Sequence, residues 1–452
     1  MSEIIIQLPQ KAKHIIKTLT AAGFEAYAVG GCVRDSILNR QPEDWDITTS
    51  ATPGQVKSLF SRTVDTGLQH GTVTVLLNGE GFEVTTFRID GKYEDSRHPS
   101  EVIFTPSLEE DLKRRDLTIN AMAYNDSRGL IDIYGGMEDI RRKVIRCVGN
   151  PCERFKEDAL RILRAIRFSA QLGYSIDSET RDAVRHLAPS LKKISAERIQ
   201  AELIKLMTSP HPDYLWEAYS CGVTKVFFPE FDLAMETQQN HPHHCYSVGE
   251  HTLHSLLEIE PDKVLRLAML FHDIGKSAVI TKDPSGITHF HGHAEVSADM
   301  AKQIMKRLKF DNDTCNMVCK LVLYHDYGDS VEPDLRFVRR TVSKIGEDAF
   351  PALFLVKRAD ILAQSNYLRQ EKLDRLRRWQ ELYQELQDKN QCLSLKTLAV
   401  TGFDLLGLGM KPGRELGSIL NRLLEQVLEE PEHNTKEYLL EQAEKMISEY
   451  YE

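Results

Sequence analysis

The chain has 452 residues, which at roughly 150 residues per domain predicts about three domains. Hydrophobic residues make up 41% and charged residues 27%, and these average values exclude a wholly disordered, collagen-like or coiled-coil chain. The formal net charge of −10 excludes a uniformly basic nucleic-acid coat, but it is compatible with a local basic surface.

Hydropathy and cysteine spacing narrow the class of protein further. No stretch approaches the roughly 20 apolar residues of a membrane span, and residues 1–14 lack the layout of a signal peptide. We therefore expect a cytoplasmic protein with no membrane partner and no obligate protein partner. The eight cysteines form no C-x-x-C pair, which indicates reduced thiols rather than a zinc ribbon.

The first 145 residues alternate between helical and strand patterns. Residues 8–22 predict an amphipathic helix, and the apolar run 26–29 predicts a strand that ends at Gly30-Gly31. Residues 71–77 and 82–89 predict two further strands, separated by a turn at 78–81. From about residue 150 onward helical patterns dominate, including a charged helix at 369–389 and helix starts at 410–413 and 433–435.

A first candidate site combines Gly30-Gly31 with a pair of aspartates. Asp44 and Asp46 are two residues apart, so an extended chain presents both carboxylates on one face. Two such like charges call for a cation, and oxygen ligands favour Mg²⁺ with substrate phosphates completing its shell. The glycines, Gly31 in particular, let the backbone approach those phosphates, and Arg34 is placed to clamp them.

These segments carry a family resemblance. The strings GGCVRD at 30–35 and DWDITTSATP at 44–53 resemble the polymerase-β-like nucleotidyltransferases, and more narrowly the bacterial CCA-adding tRNA nucleotidyltransferases and bacterial poly(A) polymerases. Residues 84–88, 90–99 and 110–123 fit the same family. The resemblance implies that Arg115 helps to hold the triphosphate and that 90–99 is a mobile loop found in relatives that add the terminal adenosine. A third metal carboxylate is either Glu83 or Asp116.

Residues 157–168, EDALRILRAIRF, predict one helix with a second candidate site. A carboxylate at Asp158 can accept from the exocyclic amine of cytosine or adenine, and Arg161 can donate to the ring nitrogen beside it. Uracil and guanine present a carbonyl instead, which leaves polar groups unpaired. This agrees with what the resemblance implies for the E-D-x-x-R motif of the family, with Arg164 and Arg167 binding the triphosphate and orienting the template.

The charge around this motif fits an RNA path. Residues 141–167 contain nine basic and three acidic residues, a local net charge of +6. The predicted reaction is attack of a tRNA 3′-hydroxyl on the α-phosphorus of CTP or ATP, with Mg²⁺ on Asp44 and Asp46. The tRNA partner is expected to be recognised mainly by the shape and phosphates of its acceptor stem.

A third candidate site lies in the second half of the chain. The order of His251, His272-Asp273, His293, His325 and Asp360 resembles the HD-domain phosphohydrolases. The resemblance implies a divalent ion such as Mn²⁺, Ni²⁺, Fe²⁺ or Zn²⁺ on His251, His272, Asp273 and Asp360. His293 and His325 would bind a second ion or the phosphate, and the domain is either an active phosphatase or phosphodiesterase or purely structural.

The predicted fold class is an α+β nucleotidyltransferase head with a mixed sheet and helices, followed by an all-α neck, an HD domain and a helical tail. The boundaries are 1–145, 146–225, 226–365 and 366–452, with Lys411 of the tail a candidate contact to the tRNA body. An A-adding tRNA enzyme and a poly(A) polymerase are the alternatives within the family. An HD nucleotide phosphodiesterase with a nucleotide-sensing head is the alternative from another class.

Overall fold

The computed structural model describes residues 4–91 and 102–451. The chain forms two compact units, Met1–Asp232 and Leu233–Glu452. Residues 92–99 of the predicted mobile loop lie outside the described residues.

The first unit contains a mixed sheet, with helices before, between and after its strands. Its helices are Gln10–Ala21 (α1), Gly31–Ile37 (α2), Pro53–Leu59 (α3), Leu108–Lys113 (α4), Gly136–Arg142 (α5), Pro151–Glu157 (α6), Leu160–Leu172 (α7), Ser178–Leu187 (α8), Ala196–Met207 (α9), Leu215–Ser220 (α10), Thr224–Phe227 (α11) and Pro229–Glu236 (α12), the last of which crosses the unit boundary. Its strands are Ala26–Val29 (β1), Ile47–Thr49 (β2), Thr63–Gly67 (β3), Thr72–Leu77 (β4), Glu80–Thr86 (β5), Arg88–Asp90 (β6), Val102–Phe104 (β7), Met122–Asn125 (β8), Gly129–Asp132 (β9), Val144–Ile145 (β10) and Ser175–Ile176 (β11).

Seven of these strands form one mixed sheet in the order β3-β4-β5-β2-β1-β8-β9. The central pair β2 and β5 is parallel, and the other neighbours are antiparallel. All four residues of β1 are buried, as the continuous apolar run predicted. The register therefore places the end of β1, the start of β2 and the middle of β5 beside one another.

The hairpin between β4 and β5 is tighter than the predicted turn at 78–81. Its two loop residues, Asn78 and Gly79, have φ of 50° and 83°, as a type I′ turn requires. Glu80 and Gly81 already pair with Leu77 and Leu76. The two-residue loop fixes the register of β5, and in this register Glu83 lies beside the start of β2.

The helical part of the first unit departs from the predicted single helix at 157–168. Asp158 has an extended conformation, with φ −141° and ψ 106°, and it separates α6 from α7. Helix α7 then continues to Gly173, whose φ of 68° ends it in the left-handed conformation. Asp158 therefore lies outside the helix in which it was predicted.

The second unit is helical apart from one short ladder. Its elements are Val248–Leu257 (α13), Lys263–Phe271 (α14), Lys276–Val279 (α15), Thr281–Lys282 (β12), Thr288–His289 (β13), His293–Arg307 (α16), Asn312–Tyr324 (α17), Leu335–Ile345 (α18), Phe350–Ala363 (α19), Arg369–Asp388 (α20), Gly402–Gly407 (α21), Arg414–Glu429 (α22) and Lys436–Tyr451 (α23). Ser247 and Glu250 form a capping box that starts α13, and Asp262 caps α14. The predicted mixed-sheet head followed by helices is confirmed.

The C-terminal helices pack around their own apolar cluster. Leu423 and Val427 of α22 meet Leu439 and Ala443 of α23, and all four side chains are fully buried. Among the residues described, no helix is both long enough and apolar enough to cross a membrane.

Candidate functional site

The turn after β1 brings a glycine against an arginine. Gly30 has a φ of 83°, and a Cβ there would lie 3.0 Å from Nη1 of Arg115. Glycine is therefore required for both the backbone conformation and the close approach of the guanidinium. Gly31 begins α2 directly after this turn.

Three carboxylates lie near the turn, although among the described residues their oxygens do not all come within 4.8 Å of one another. The amide of Val29 donates to the carbonyl of Asp46 at 3.0 Å, and the parallel register of Ile47 with Val84 sets Asp46 beside Glu83. Burial raises the pKa of Asp46 to about 6, with Asp44 and Glu83 adding to the rise. Asp44 and Asp46 precede β2 rather than lying within it.

The donor chemistry of this group fits Mg²⁺. Asp44, Asp46 and Glu83 offer only oxygen ligands, and burial together with repulsion from the other two carboxylates raises the pKa of Asp46 although Arg115 opposes it. Of the two alternatives from the sequence, Glu83 is the one that lies beside Asp46, and its role as a third metal ligand stays a prediction.

Asp116, the other alternative, is committed to a different contact. Its Oδ2 accepts from Nε of Arg164 at 2.6 Å, and its Oδ1 accepts from the amide of Leu117 at 2.9 Å. Burial alone would raise the pKa of Asp116, but Arg164 and Arg161 lower it below its usual range. Asp116 is thus an ionised anchor for α7.

The two arginines nearest the carboxylates differ in their partners. Arg34 donates twice to Asp35, at 2.9 Å each, and once to Asn120 at 2.6 Å. Arg115 is within 3.7 Å of Asp111, and its buried Nε has no hydrogen-bond partner among the described residues. Arg115 therefore has donor capacity to spare beside Gly30.

The predicted Asp158 and Arg161 pair is not an ion pair in the structure. Asp158 instead binds Arg198 of α9 through two contacts, at 3.2 Å and 2.7 Å. Its Oδ1 also accepts from the amide of Leu160 at 3.0 Å. The carboxylate is held by α9 and by the first turn of α7, and Arg198 was missed from the sequence.

The side chain of Arg161 is held by residues that come before the break at Asp158 in the chain. Its Nη1 donates to Glu157 at 2.6 Å, and its Nη2 donates to the carbonyl of Arg114 at 3.0 Å. Asp158 and Arg161 remain linked through the backbone, since the amide of Arg161 donates to the carbonyl of Asp158 at 3.0 Å. The two side chains therefore flank one turn.

Three guanidinium groups surround the ring of Phe168. Those of Arg34, Arg164 and Arg167 lie 4.8, 5.5 and 3.5 Å from its centroid. Arg167 is buried and donates to Glu202 of α9 at 2.9 Å. Helix α9 thus holds both Asp158, through Arg198, and Arg167, through Glu202.

In the second unit, predicted ligands from three helical segments converge on one point. Nε2 of His251 lies 3.1 Å from Nε2 of His272 and 2.9 Å from Oδ1 of Asp360. Oδ2 of Asp273 lies 3.6 and 3.4 Å from the same two imidazole nitrogens. All four side chains are buried.

The other oxygen of Asp273 faces a second group. Its Oδ1 lies 3.4 Å from Nε2 of His293 and 3.6 Å from Nε2 of His325, and these nitrogens are 3.2 Å apart. Asp273 therefore lies between two clusters, each with at least three candidate metal ligands.

The imidazoles are oriented for metal binding. Nδ1 of His272, His293 and His325 lies within 2.9 Å of a backbone carbonyl in each case, so Nδ1 donates there and Nε2 is the ring nitrogen that faces the cluster. Oδ1 of Asp273 is buried without a hydrogen-bond partner. Inward lone pairs and an orphaned carboxylate oxygen fit a divalent cation in each cluster.

A cavity of about 400 Å³ opens onto these ligands. His244 lines it, and burial lowers the pKa of this imidazole to about 3, so the ring is neutral. Lys276 also lines it and donates to Asp273 at 2.7 Å. His244 was missed from the sequence, where only the H-P-H-H run at 241–244 could have suggested it.

Comparisons with known proteins agree along the whole chain. The model "Poly A polymerase head domain" matches residues 26–146, "Probable RNA and SrmB- binding site of polymerase A" matches 173–235, and a domain 2 model of tRNA nucleotidyltransferases matches 280–443. The CCA-adding enzyme of Lactobacillus helveticus is 35% identical over 92% of both chains. That of Pediococcus pentosaceus is 35% identical over 97% of this chain and 99% of its own.

Solved structures give the same picture. The Bacillus stearothermophilus CCA-adding enzyme in complex with CTP is 27% identical, with a TM-score of 0.72 over 98% of this chain and 100% of that one. The Thermotoga maritima CCA-adding enzyme complexed with tRNA shares the fold, with 20% identity and a TM-score of 0.58 over 97% and 95% of the chains. This chain belongs to the family of CCA-adding enzymes, which are nucleotidyltransferases.

Proposed function

We propose that the chain adds C, C and A to the 3′ ends of tRNA from CTP and ATP and releases pyrophosphate. The observation that carries the proposal is the group of Asp44, Asp46 and Glu83 beside the Gly30 turn, with Arg115 facing them. Family membership supports it, as do the neighbours solved with CTP and with tRNA.

The chain's own residues prepare an in-line displacement. Asp44 and Asp46, with Glu83 beside them, would hold Mg²⁺, which supplies charge neutralisation and favours the ionised 3′-hydroxyl when bound. Arg115 binds the triphosphate of the incoming nucleotide through the end of its guanidinium, whose Nη1 lies at the Gly30 turn. The 3′ oxygen forms a bond to the α-phosphorus, the bond to the β-phosphate oxygen breaks, and pyrophosphate leaves with that electron pair.

Base choice follows from the acceptor capacity of Asp158. A carboxylate has about four lone-pair directions, and Leu160 and Arg198 occupy three of them. The remaining direction accepts the exocyclic amine of cytosine or adenine, with Arg161 donating to the ring nitrogen. Uracil and guanine offer no proton there, so Asp158 rejects them.

The remaining arginines divide into binding and positioning roles. Arg164 is partly exposed and can contact a phosphate, whereas Arg34, on the same Phe168 ring, is buried and already donates to Asp35 and Asn120, so its predicted role as a phosphate clamp is not proposed. Arg167 is buried against Glu202, which makes it a positioning residue for α7 rather than a phosphate contact. The basic segment 141–167 supplies the surface for the tRNA acceptor stem.

The proposal is tested with three tRNA transcripts ending at the discriminator base, at C and at CC. Each is incubated with CTP and ATP, together and singly, and the products are sequenced. We expect all three to end in CCA. Extension of the CC-ended tRNA alone would instead identify an A-adding enzyme, and long A tails would identify a poly(A) polymerase.

A second candidate function belongs to the histidine cluster. We propose that residues 226–365 form an HD phosphohydrolase domain with two divalent ions, between a neck at 146–225 and a tail at 366–452. The position of Asp273 between two ligand groups carries this proposal. Divalent ions such as Mn²⁺, Ni²⁺, Fe²⁺ or Zn²⁺ held there supply Lewis-acid polarisation of a phosphate ester and a nucleophile derived from water.

The hydrolysis forms a bond from a water oxygen to phosphorus, while the ester oxygen leaves and takes up a proton. Its test is release of p-nitrophenol from phosphate esters by the full chain loaded with each metal in turn. His272→Ala should abolish the release and leave CCA addition intact. An equal rate from wild type and His272→Ala would overturn the proposal.

A further inference from the structure

One wall of the cavity at the histidine cluster comes from helix α20. Lys372 and Arg375 of this helix line the cavity together with Lys276. Nothing in the pattern of metal ligands accounts for cations on α20, which was predicted from the sequence only as a charged connecting helix.

A short hydrogen-bonded chain links Lys372 to the metal ligands. Gln364 donates through Nε2 to both oxygens of Asp360, at 3.1 and 3.0 Å. Nζ of Lys372 donates to Oε1 of the same glutamine and lies 3.0 Å from Nδ1 of His243. The side chain of Gln364 therefore bridges the ammonium group of Lys372 and the carboxylate of Asp360.

Lys372 differs from the other cations of the cavity in its partners. Lys276 is paired with Asp273 at 2.7 Å, and Arg375 lies 3.6 Å from Glu332. Within residues 4–91 and 102–451, no carboxylate lies within 4.0 Å of Nζ of Lys372, whose hydrogen-bond partners are neutral. A half-buried ammonium whose direct hydrogen-bond partners are all neutral is a site for an anion from outside the chain.

The charge of the cavity indicates what kind of anion. Five carboxylates and three cations line it, and one of the carboxylates, Asp329, is paired with Lys357 outside the lining, which gives a formal charge of −1 with the histidines neutral. Two divalent ions reverse this charge to +3. A dianion therefore neutralises more of it than a monoanion does.

We propose that Lys372 binds the phosphate of the substrate at the histidine centre and selects dianionic phosphomonoesters, such as a terminal phosphate, over monoanionic phosphodiesters. This inference rests on the phosphohydrolase function proposed above. The selected group is one that a tRNA end must lose before its 3′-hydroxyl can act as a nucleophile.

The test compares two probes on the full chain loaded with Mn²⁺ or Ni²⁺. At about pH 8 p-nitrophenyl phosphate is a dianion and bis(p-nitrophenyl) phosphate is a monoanion. Lys372→Gln should raise KM for the monoester about tenfold or more with kcat nearly unchanged, and should raise KM for the diester much less. Lys372→Arg should restore most of the affinity, and Arg377→Gln, an exposed change on the same helix, should have no effect.

Metal content and CCA addition should be unchanged in Lys372→Gln, which excludes misfolding as the cause. An unchanged KM for the monoester, or an equal rise for both esters, would overturn the inference. If the wild type hydrolyses neither ester, the phosphohydrolase proposal fails by itself. Calorimetry with inorganic phosphate on the metal-loaded wild type and Lys372→Gln then decides the anion site, and equal affinities would contradict it.

Discussion

The two candidate sites of this chain balance their charges in opposite ways. In the first unit, Asp158 is paired with Arg198 and Asp116 with Arg164, so protein cations neutralise protein anions. In the second unit, Asp273 and Asp360 face imidazole nitrogens whose lone pairs point inward. The paired aspartates of the first unit are already neutralised, although Asp44, Asp46 and Glu83 still repel one another. In the second unit Lys276 pairs with Asp273, and the inward-facing imidazoles leave a place that fits added cations.

The difference also appears in burial. Asp44 is exposed, and Asp158 and Arg198 are partly exposed, as a site that exchanges large substrates needs. His272 and Asp273 are almost inaccessible. The cavity opens onto these buried ligands, so under the proposed phosphohydrolase function specificity depends on the residues of the cavity wall.

The largest effect is expected from the carboxylates of the first unit. Asp46→Ala should lower kcat for nucleotide addition about a thousandfold or more, because a metal site worth several kcal/mol of transition-state stabilisation is lost. Asp65→Ala, an exposed aspartate of the same unit, is the control and should keep full activity. The measurement is single-turnover addition of CMP, and activity within tenfold of wild type would contradict the site.

The number of bound ions in variants should distinguish the two ligand groups of the second unit. Asp273→Ala should remove both ions, because its two oxygens face different groups, whereas His325→Ala should remove one. The metal per chain is measured by mass spectrometry after dialysis. Loss of a single ion from Asp273→Ala would show that Asp273 does not bridge.

Base selection in the first unit should depend on Arg198. Arg198→Met removes two hydrogen bonds from Asp158 and loosens the carboxylate, so relative incorporation of UMP should rise about tenfold to a hundredfold. The readout is kcat/KM for CTP against UTP. Arg185→Met, an exposed change on α8, should leave the ratio unchanged, and an unchanged ratio in Arg198→Met would refute the coupling.

The smallest effect concerns stability. Arg167 and Glu202 form a buried pair, with side chains 6% and 7% exposed, so Glu202→Gln should destabilise the first unit by about 3 kcal/mol. Asp182→Asn, which breaks the exposed pair with Arg185, should change the unfolding free energy by less than about 1 kcal/mol. Urea unfolding measures both changes in the free energy of unfolding. Equal changes would show that the buried pair stabilises the unit no more than the exposed pair does.

Much of the fold follows from local pattern in the sequence. The buried run of β1 was predicted residue for residue, and the helix starts before α22 and α23 were predicted within about one residue of their positions. The resemblance to HD-domain phosphohydrolases named His251, His272, Asp273 and Asp360 as one group, and these side chains do lie together in the structure. Their role as metal ligands stays a prediction.

The contacts that orient the first site were not predictable in this way. Nothing in residues 157–168 signals the break at Asp158, since no glycine or proline interrupts the helical pattern. The break accompanies a tertiary contact with Arg198, forty positions along the chain. The position of Lys372 at the cavity was not predictable for a similar reason. A lysine on a charged helix cannot be told apart from a residue on a solvent-exposed face by its sequence pattern.

The independence of the two sites is tested most directly by one set of assays on three proteins. Wild type, Asp46→Asn and Asp273→Asn are each given a tRNA ending at the discriminator base with CTP and ATP, and each is given p-nitrophenyl phosphate with Mn²⁺. We predict CCA addition by wild type and Asp273→Asn only, and ester hydrolysis by wild type and Asp46→Asn only. Retained CCA addition by Asp46→Asn, or its loss in a folded Asp273→Asn, would contradict the assignment of nucleotidyl transfer to the first unit.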